Sequence, residues 1–182
     1  MKINLGSGTL PIDGFLDVDH RSDVGDIVDD AFLLESLELN SVEEIVASHI
    51  LEHACFDRTQ TILTRWKDIL KPGGILWIAV PNFDLVLKQH LTDYYNGTTT
   101  WEYFNSRIFG NAKVARKMYG EKKLEEVDGI FQYELAFHRS VFNRDMLEKC
   151  LNDCGFSNVE SIEQIPYKRS HPHEICYRGV KP

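Results

Sequence analysis

The sequence predicts an α/β fold organised around an open, mostly parallel sheet, and three observations carry the prediction. Apolar runs of strand length alternate with stretches of helical period, and nearly every such run ends in glycine, acid or another polar residue. The run Ile75-Leu76-Trp77-Ile78-Ala79-Val80 is apolar throughout, as a strand covered on both faces should be. The first run, Lys2-Ile3-Asn4-Leu5, passes straight into Gly6-Ser7-Gly8, and two glycines one residue apart let backbone approach a ligand where any Cβ would collide. Gly-x-Gly also closes many ordinary turns, so this pair gains meaning only from its surroundings.

The elements follow in order. After Leu10-Pro11-Ile12-Asp13-Gly14 comes a second strand, Phe15-Leu16-Asp17-Val18-Asp19, ending in acid. A third short strand, Asp26-Ile27-Val28, is followed by Asp29 and Asp30, and residues 31–37 form a short helical or irregular apolar piece. A fourth strand, residues 43–48, leads into His49-Ile50-Leu51-Glu52-His53. Asp57 can cap a helix running to Leu70, because Ile62, Leu63, Trp66, Ile69 and Leu70 fall on one face. Lys71-Pro72-Gly73-Gly74 stops that helix and hands over to the fifth strand, residues 75–80.

Residues 83–137 break the pattern. This stretch is rich in Tyr, Trp, Phe, Asn, Lys and Glu, with helical segments near 83–91, 100–108 and 112–118. It is too long for a plain connection and reads as a helical insertion, a lid or substrate-facing subdomain, within a single domain of residues 1–182. The sheet then resumes: Asn143 caps a helix to about Cys154, Gly155 ends it, and residues 159–165 and 174–179 supply two last strands, seven in all. Strands alternating with helices in this way place a site at the strand carboxyl ends.

Composition narrows the function classes. A hydrophobic content of 43% and a charged content of 26% are ordinary globular values. A net charge of −8 repels a phosphate backbone, which argues against nucleic acid as a partner. The basic residues Lys113, Arg116, Lys117, Lys122 and Lys123 sit among Glu121, Glu125 and Glu126, a mixture that suits a solvated helix face. There is no apolar run of membrane-spanning length and no basic-then-apolar leader, so neither a membrane nor export is expected. Four scattered cysteines, Cys55, Cys150, Cys154 and Cys176, are too few for a disulfide scaffold, and a cytoplasmic location is expected.

Five segments in this order resemble class I S-adenosylmethionine-dependent methyltransferases: Asn4-Leu5-Gly6-Ser7-Gly8, Gly14-Phe15-Leu16-Asp17-Val18-Asp19, Asp26-Ile27-Val28-Asp29-Asp30, Ala47-Ser48-His49-Ile50-Leu51-Glu52-His53 and Leu70-Lys71-Pro72-Gly73-Gly74. Leu147, Leu151 and Gly155-Phe156 add a sixth, weaker piece. The resemblance is to the compact bacterial-type group with a shortened first crossover. It implies a Rossmann-like, mostly parallel seven-stranded sheet with helices on both faces, and S-adenosyl-L-methionine as cofactor. The residues argue separately against a dinucleotide, which wants a third glycine and a long crossover helix. Here Pro11 holds the third glycine's place, and Asp19 follows Gly8 after only eleven residues.

The resemblance also assigns roles. Leu5, Gly6, Ser7 and Gly8 pass under the methionine portion of the cofactor, and Asp19 accepts from its ribose hydroxyls. Asp30, Ala31 and Phe32 frame the adenine. Ser48 and His49 line the methionyl end and the reacting face. Asn4 stands where an acid is often found, which weakens recognition of the cofactor's amino group. The chain begins at strand one without the cover helix of many relatives, so the insertion has to shield the site instead.

The activity expected is direct, in-line methyl transfer to an oxygen or nitrogen of a small-molecule or glycan-type acceptor. Where the acceptor must lose a proton, His49 is the first candidate base and His138 the second. Two other classes stand beside this one: a catalytically silent cofactor-binding relative that serves as a partner subunit, and a zinc hydrolase. The latter rests on His49-x-x-Glu52-His53, which matches an inverted zinc-peptidase pattern and would need both histidines on one helix face. In the methyltransferase reading no metal is involved, and Glu52 and His53 hold the loop by hydrogen bonds. Cys150 and Cys154, with His171, His173 and Cys176 further on, offer a second metal pattern, or small buried hydrophobes against a sheet. The aromatics Tyr94, Tyr95, Trp101, Tyr103, Phe104 and Tyr133 either stack on a planar or sugar-like substrate or form the insertion's own small core.

Overall fold

A computed structural model describes residues 1–109, 126–127, 130–131, 138–168 and 171–182. The helical segment expected at 112–118, the five basic residues 113–123 and Tyr133 lie outside the described residues. The strands are β1 (Lys2–Leu5), β2 (Leu16–Asp19), β3 (Ile27–Val28), β4 (Val42–Ser48), β5 (Leu70–Pro81), a two-stranded hairpin of β6 (Glu126–Val127) and β7 (Ile130–Phe131), then β8 (Ser157–Ile162) and β9 (Glu174–Val180). Among the described residues the α-helices are α1 (Thr59–Ile69), α2 (Phe83–Tyr95), α3 (Trp101–Phe109) and α4 (Arg144–Asp153).

Seven strands make one sheet in the order β3-β2-β1-β4-β5-β9-β8. Strands β1 to β5 run parallel, and β9 is antiparallel to both β5 and β8. The α/β, mostly parallel sheet expected from the sequence is present. Its order reverses between β1 and β4. In an open α/β sheet that switch point leaves a crevice beyond the strand carboxyl ends, because the connections on its two sides depart in opposite directions.

Alternation along the central strands divides the core. Ile45, Ala47, Leu76 and Ile78 face α1 and α4, where Leu63, Trp66, Leu147 and Leu151 are fully buried against them. Val46 and Ala79 face the other way, onto Ile12, Phe15, Ile165 and Cys176. The buried face of α1 is the one the spacing predicts, but its start differs. Asp57 lies in a 3-10 turn, Phe56–Arg58, and Arg58 stands at the N-cap with no side-chain bond, so the expected Asp57 cap is corrected. Asn143 does cap its helix, accepting from the Met146 N–H at 2.9 Å, and Gly155 ends it at φ 78°.

Two strand boundaries move for reasons outside their own sequence. β5 starts at Leu70 because that residue pairs with Val42 before the ladder resumes at Ile75. The intervening turn is tied to the chain's end, with Gly73 N–H donating to the Lys181 carbonyl at 2.9 Å and Lys181 N–H donating to the Gly74 carbonyl at 2.9 Å. β8 ends at Ile162, three residues before the expected limit, because pairing with β9 stops at Cys176 and Ile165 turns into the second core.

Of the insertion's expected helices, α2 runs four residues past its expected end and α3 is displaced by one residue. Val86, Phe104 and Ile108 bury one another in a small cluster of their own with Phe83, Leu87 and Val141. His90 stacks on Phe104 at 4.2 Å between ring centroids, with Trp101 at 4.8 Å and Tyr94 at 6.1 Å. Of the aromatics weighed from the sequence, Phe104 is buried in this cluster, whereas Tyr94, Tyr95, Trp101 and Tyr103 are exposed.

Candidate functional site

The site is assembled from what each strand leaves at its carboxyl end. β1 ends at Leu5, fully buried, and the chain turns through Gly6 at φ 57° and Gly8 at φ 56°, both left-handed. A Cβ at Gly6 would lie 2.7 Å from Ile50 Cδ1, so glycine suits the position by conformation and lets Ile50 pack directly on the loop. Between the glycines, Ser7 is buried and its Oγ has no hydrogen-bond partner among the described residues. Asn4 is turned inward, donating to Asp17 Oδ1 at 2.7 Å and to the Leu10 carbonyl at 3.2 Å, so it braces the loop from beneath.

Asp19 closes β2 under the same loop. Its Oδ2 accepts from the Gly8 N–H at 3.0 Å, while Oδ1 accepts from the Arg21 N–H at 3.0 Å and from Arg21 Nε at 3.2 Å. Burial pushes the carboxyl up, but the Arg21 and Gly8 bonds outweigh it and hold the group below its ordinary value. The carboxylate therefore stays ionised at the glycine turn. Arg21 covers it: a Cβ on Gly8 would come 3.7 Å from the guanidinium.

The segment after β3 is fastened from below. Trp66 Nε1 donates to the Ala31 carbonyl at 2.8 Å, and Arg65 donates to the carbonyls of Leu33, Leu34 and Leu37 at 2.6–2.8 Å. Ala31 joins the main core, Phe32 packs partly against it, and Asp30 stays exposed with Oδ1 accepting from the Phe32 N–H at 2.7 Å. An acid beside a half-buried aromatic is thus displayed at the end of β3.

β4 delivers Ser48, half-buried, and then His49 in the left-handed region at φ 56°. Leu51–His53 follows as a 3-10 turn, so His49 and His53 do not share a helix face as the zinc-peptidase pattern needs. Instead His49 Nε2 faces Glu174 Oε2 at 2.9 Å, and Nδ1 lies 3.3 Å from Glu52 Oε1. Burial lowers the imidazole's pKa, but the two carboxylates outweigh it and raise the value above the ordinary 6.5. The two carboxylates favour the charged form of the ring, so proton uptake and release by His49 are coupled to Glu52 and Glu174.

Glu52 holds its turn through its backbone, not its side chain: its carbonyl accepts from the N–H groups of Arg139 at 2.8 Å and Ser140 at 3.1 Å. Those bonds bring His138 alongside, with its ring 5.1 Å from that of His53. For Glu52, burial pushes the carboxyl up, yet the facing His49, His53 and His138 outweigh it and keep the group below the usual carboxylate range. Burial pushes His138 itself below the ordinary 6.5, against the pull of Glu52, and so favours the neutral ring.

A cavity of about 450 Å³ opens beside this turn, large enough for a small-molecule ligand. His49, Glu52, His138, Ser140, His171 and His173 give it a polar side, and Phe83, Val86, Ile108, Val141 and Phe142 an apolar one. The cavity and the glycine loop meet across one dipeptide: His49 lines the cavity while Ile50 packs on Gly6. Leu5, Gly6, Ser7, Gly8, Asp19, Ser48 and His49 therefore gather at the carboxyl ends of β1, β2 and β4 beside the switch point, with residues 30–32 at the end of the neighbouring β3; of these His49 alone also lines the cavity, together with His138.

Sequence reasoning missed Arg21, Ile50 and Glu174. Ile50 could have been suspected as the apolar residue next to a strand-end histidine, whereas Glu174 is 125 positions from its partner and carries no local signal. Cys154 and Cys176 behave as small buried hydrophobes, and burial with nearby Glu174 pushes the Cys176 thiol up to about 12; Cys150 is half-buried and Cys55 exposed.

No protein-family model and no curated protein matches the chain. Solved structures do. A SAM-dependent methyltransferase from Archaeoglobus fulgidus aligns over 99% of this chain and 85% of its own, at 14% identity and TM-score 0.57. One from Methanosarcina mazei covers 98% of this chain and 89% of its own, at 16% identity and TM-score 0.54. The 1,6-didemethyltoxoflavin-N1-methyltransferase of Burkholderia thailandensis, solved with 1,6-didemethyltoxoflavin and S-adenosylhomocysteine, aligns over 99% of this chain and 70% of its own, at 15% identity and TM-score 0.57. The chain has the class I SAM-dependent methyltransferase fold. At these identities the likeness is one of fold.

Proposed function

We propose that this protein transfers the methyl group of S-adenosyl-L-methionine to an oxygen or nitrogen of a small-molecule or glycan-type acceptor. One observation carries the reading. An ionised, buried Asp19 shares a hydrogen bond with the second glycine of a left-handed Gly6-Ser7-Gly8 turn at the sheet's switch point. The partnerless Ser7 Oγ in that turn is a further polar atom awaiting a ligand, so the residues present fit the cofactor.

In this reading Leu5, Gly6, Ser7 and Gly8 hold the methionine portion, Asp19 the ribose hydroxyls, and Asp30, Ala31 and Phe32 the adenine. Ser48 and His49 border the methyl-bearing end. The cofactor supplies a sulfonium-bound, electrophilic methyl group. The chain's own part is alignment and exclusion of water, with the insertion that contributes Phe83, Val86 and Ile108 to the cavity wall acting as a lid. His49, charged between Glu52 and Glu174, orients and shapes the cavity's electrostatics. His138, kept neutral by burial, is the group with a lone pair to receive an acceptor proton.

A catalytically silent cofactor-binding relative is the second reading, and Arg21 bears on both: its guanidinium covers the acid that the ribose would need, so nucleoside binding requires it to move aside. Calorimetric titration with S-adenosylhomocysteine separates the two, followed by transfer of labelled methyl to a panel of hydroxyl and amine acceptors. Asp19→Asn should weaken S-adenosylhomocysteine by roughly 10- to 100-fold, the worth of a charge-assisted hydrogen bond. Wild-type affinity in that variant would refute the cofactor placement, and tight binding without transfer would favour the silent relative.

A further inference from the structure

Glu52 poses a problem that the methyl-transfer reading leaves unanswered. Its side chain is 1% exposed, yet among the described residues neither carboxylate oxygen has an aligned hydrogen-bond donor. The nearest, His49 Nδ1, stands 3.3 Å from Oε1 without the alignment of a hydrogen bond, and the same ring is engaged by Glu174. His49 faces only Oε1, which leaves Oε2 buried with no donor among the described residues, a costly condition for a carboxylate oxygen. Beside it, His53 Nδ1 is also buried without a partner. His138 completes the group: ligand atoms of Glu52, His53 and His138 all lie within 4.8 Å of one another.

We propose that Glu52, His53 and His138 bind a divalent first-row transition-metal ion of the zinc type. Two imidazole nitrogens and one carboxylate oxygen suit such an ion and leave coordination positions open, whereas calcium or magnesium would prefer oxygen donors throughout. Bonds of about 2.0–2.1 Å in a tetrahedral site place ligand atoms roughly 3.3 Å apart, so the three side chains need close by only about an ångström. The scaffold for this is in place. The Arg139 and Ser140 N–H groups fix the His138 segment on the Glu52 carbonyl, and the Ile108 carbonyl faces the His138 ring, orienting the imidazole as ligating histidines usually are.

This site is not the one spelled by His49-x-x-Glu52-His53. There the two histidines would ligate and the glutamate would act as base, whereas here His49 belongs to Glu174 and Glu52 is a ligand. Glu52 and His138 both line the cavity, so the open positions face it. Resting on the methyl-transfer reading, this deepens it: the acceptor is an oxygen nucleophile, a hydroxyl whose proton the ion makes easier to lose. With the ion bound, the His138 lone pair serves the metal and the base role passes to solvent.

The test uses tag-free, chelator-treated full-length protein titrated with Co²⁺, read by its visible absorption, and then with Zn²⁺ in competition. One ion per chain is expected, displaced by Zn²⁺, with Glu52→Gln and His138→Ala each weakening Co²⁺ binding by at least about tenfold. His138→Ala alters a half-buried position and guards against a misfolded Glu52 variant. His171→Ala, which removes another cavity imidazole, should leave Co²⁺ affinity unchanged. Absence of a bound ion at millimolar Co²⁺ and Zn²⁺ would overturn the proposal. So would an ion retained by both ligand variants or lost with His171→Ala. S-adenosylhomocysteine binding measured on the same samples keeps the two ideas apart: nucleoside binding without metal sinks this inference alone, and metal without nucleoside binding sinks the cofactor reading alone.

Discussion

Gly6→Ala isolates the contact that joins the glycine loop to the cavity. Gly6 sits at φ 57°, a conformation that costs a residue bearing Cβ roughly 1–2 kcal/mol. The new methyl would also lie 2.7 Å from Ile50 Cδ1 and 3.2 Å from Cγ1. Both atoms belong to the far end of a flexible side chain, so Ile50 can swing aside at a further cost of about 0.5–1.5 kcal/mol for an off-rotamer position. The sum, roughly 2–3 kcal/mol, should lower the melting temperature of a chain this size by roughly 5–10 °C. Gly73 provides the control. Its φ is 78°, with nothing within 4 Å of a built Cβ, so Gly73→Ala bears the backbone term alone.

The assay is denaturant unfolding of Gly6→Ala, Gly73→Ala, Ile50→Ala and the Gly6→Ala/Ile50→Ala pair, with S-adenosylhomocysteine calorimetry on each. The double variant should recover about 1 kcal/mol relative to additivity, because the clash needs both side chains. Nucleoside affinity should fall in Gly6→Ala and stay at the wild-type level in Gly73→Ala. Equal destabilisation by the two glycine variants, with no coupling to Ile50, would refute the close approach. Undiminished affinity in Gly6→Ala would refute the cradle.

Two further predictions concern the surroundings of the site. His49, raised above 6.5, holds more protons folded than unfolded, so its stabilisation is full below pH 6.5 and fades as pH rises through its folded value. His138, lowered from 6.5, acts in the opposite sense: its contribution is full above pH 6.5 and is lost as pH falls through its folded value. Chelator-treated protein should therefore be most stable near pH 6.5, with His49→Gln flattening the alkaline side of the profile and His138→Asn the acid side; urea titrations across pH check this, and exchanged effects would refute it. Trp66→Phe deletes a fully buried ring edge and orphans the Ala31 carbonyl, which should destabilise by about 2–4 kcal/mol and loosen the 30–37 segment; a loss under about 1 kcal/mol would show that Trp66 does not anchor it.

What the sequence made legible was periodic or punctuated. Ile75-Leu76-Trp77-Ile78-Ala79-Val80 reads as a doubly covered strand because both of its faces are packed: Leu76, Ile78 and Val80 enter the main core, and Ala79 with Trp77 the second. Asn143 and Gly155 bracket α4 because capping and left-handed exit are local events. Asp19 was legible for a similar reason: an acid closing a strand a short step after a glycine pair has few places to go. Arg21, two residues on, was not, since nothing local says whether a long cation covers a carboxylate or leaves it to a ligand. β8 was misplaced because Val159, Ile162 and Ile165 are apolar at a spacing of three, which does not settle where pairing ends.

The trio around Glu52 was least legible, for a definite reason. Adjacent side chains diverge on a strand and lie about 100° apart on an α-helix, so Glu52 and His53 offer no shared direction under either period. The 3-10 turn over Leu51–His53 obeys neither pattern, and it follows a non-glycine residue, His49, in a left-handed conformation that sequence would assign to glycine or asparagine. That one turn sends His49 toward Glu174, 125 positions away, and frees Glu52 to face His138. His138 arrives by main-chain bonds from Arg139 and Ser140 to the Glu52 carbonyl, which any side chains would permit. The residue types for metal chemistry could be read from the chain, but which of them meet is decided by backbone geometry and a distant acid.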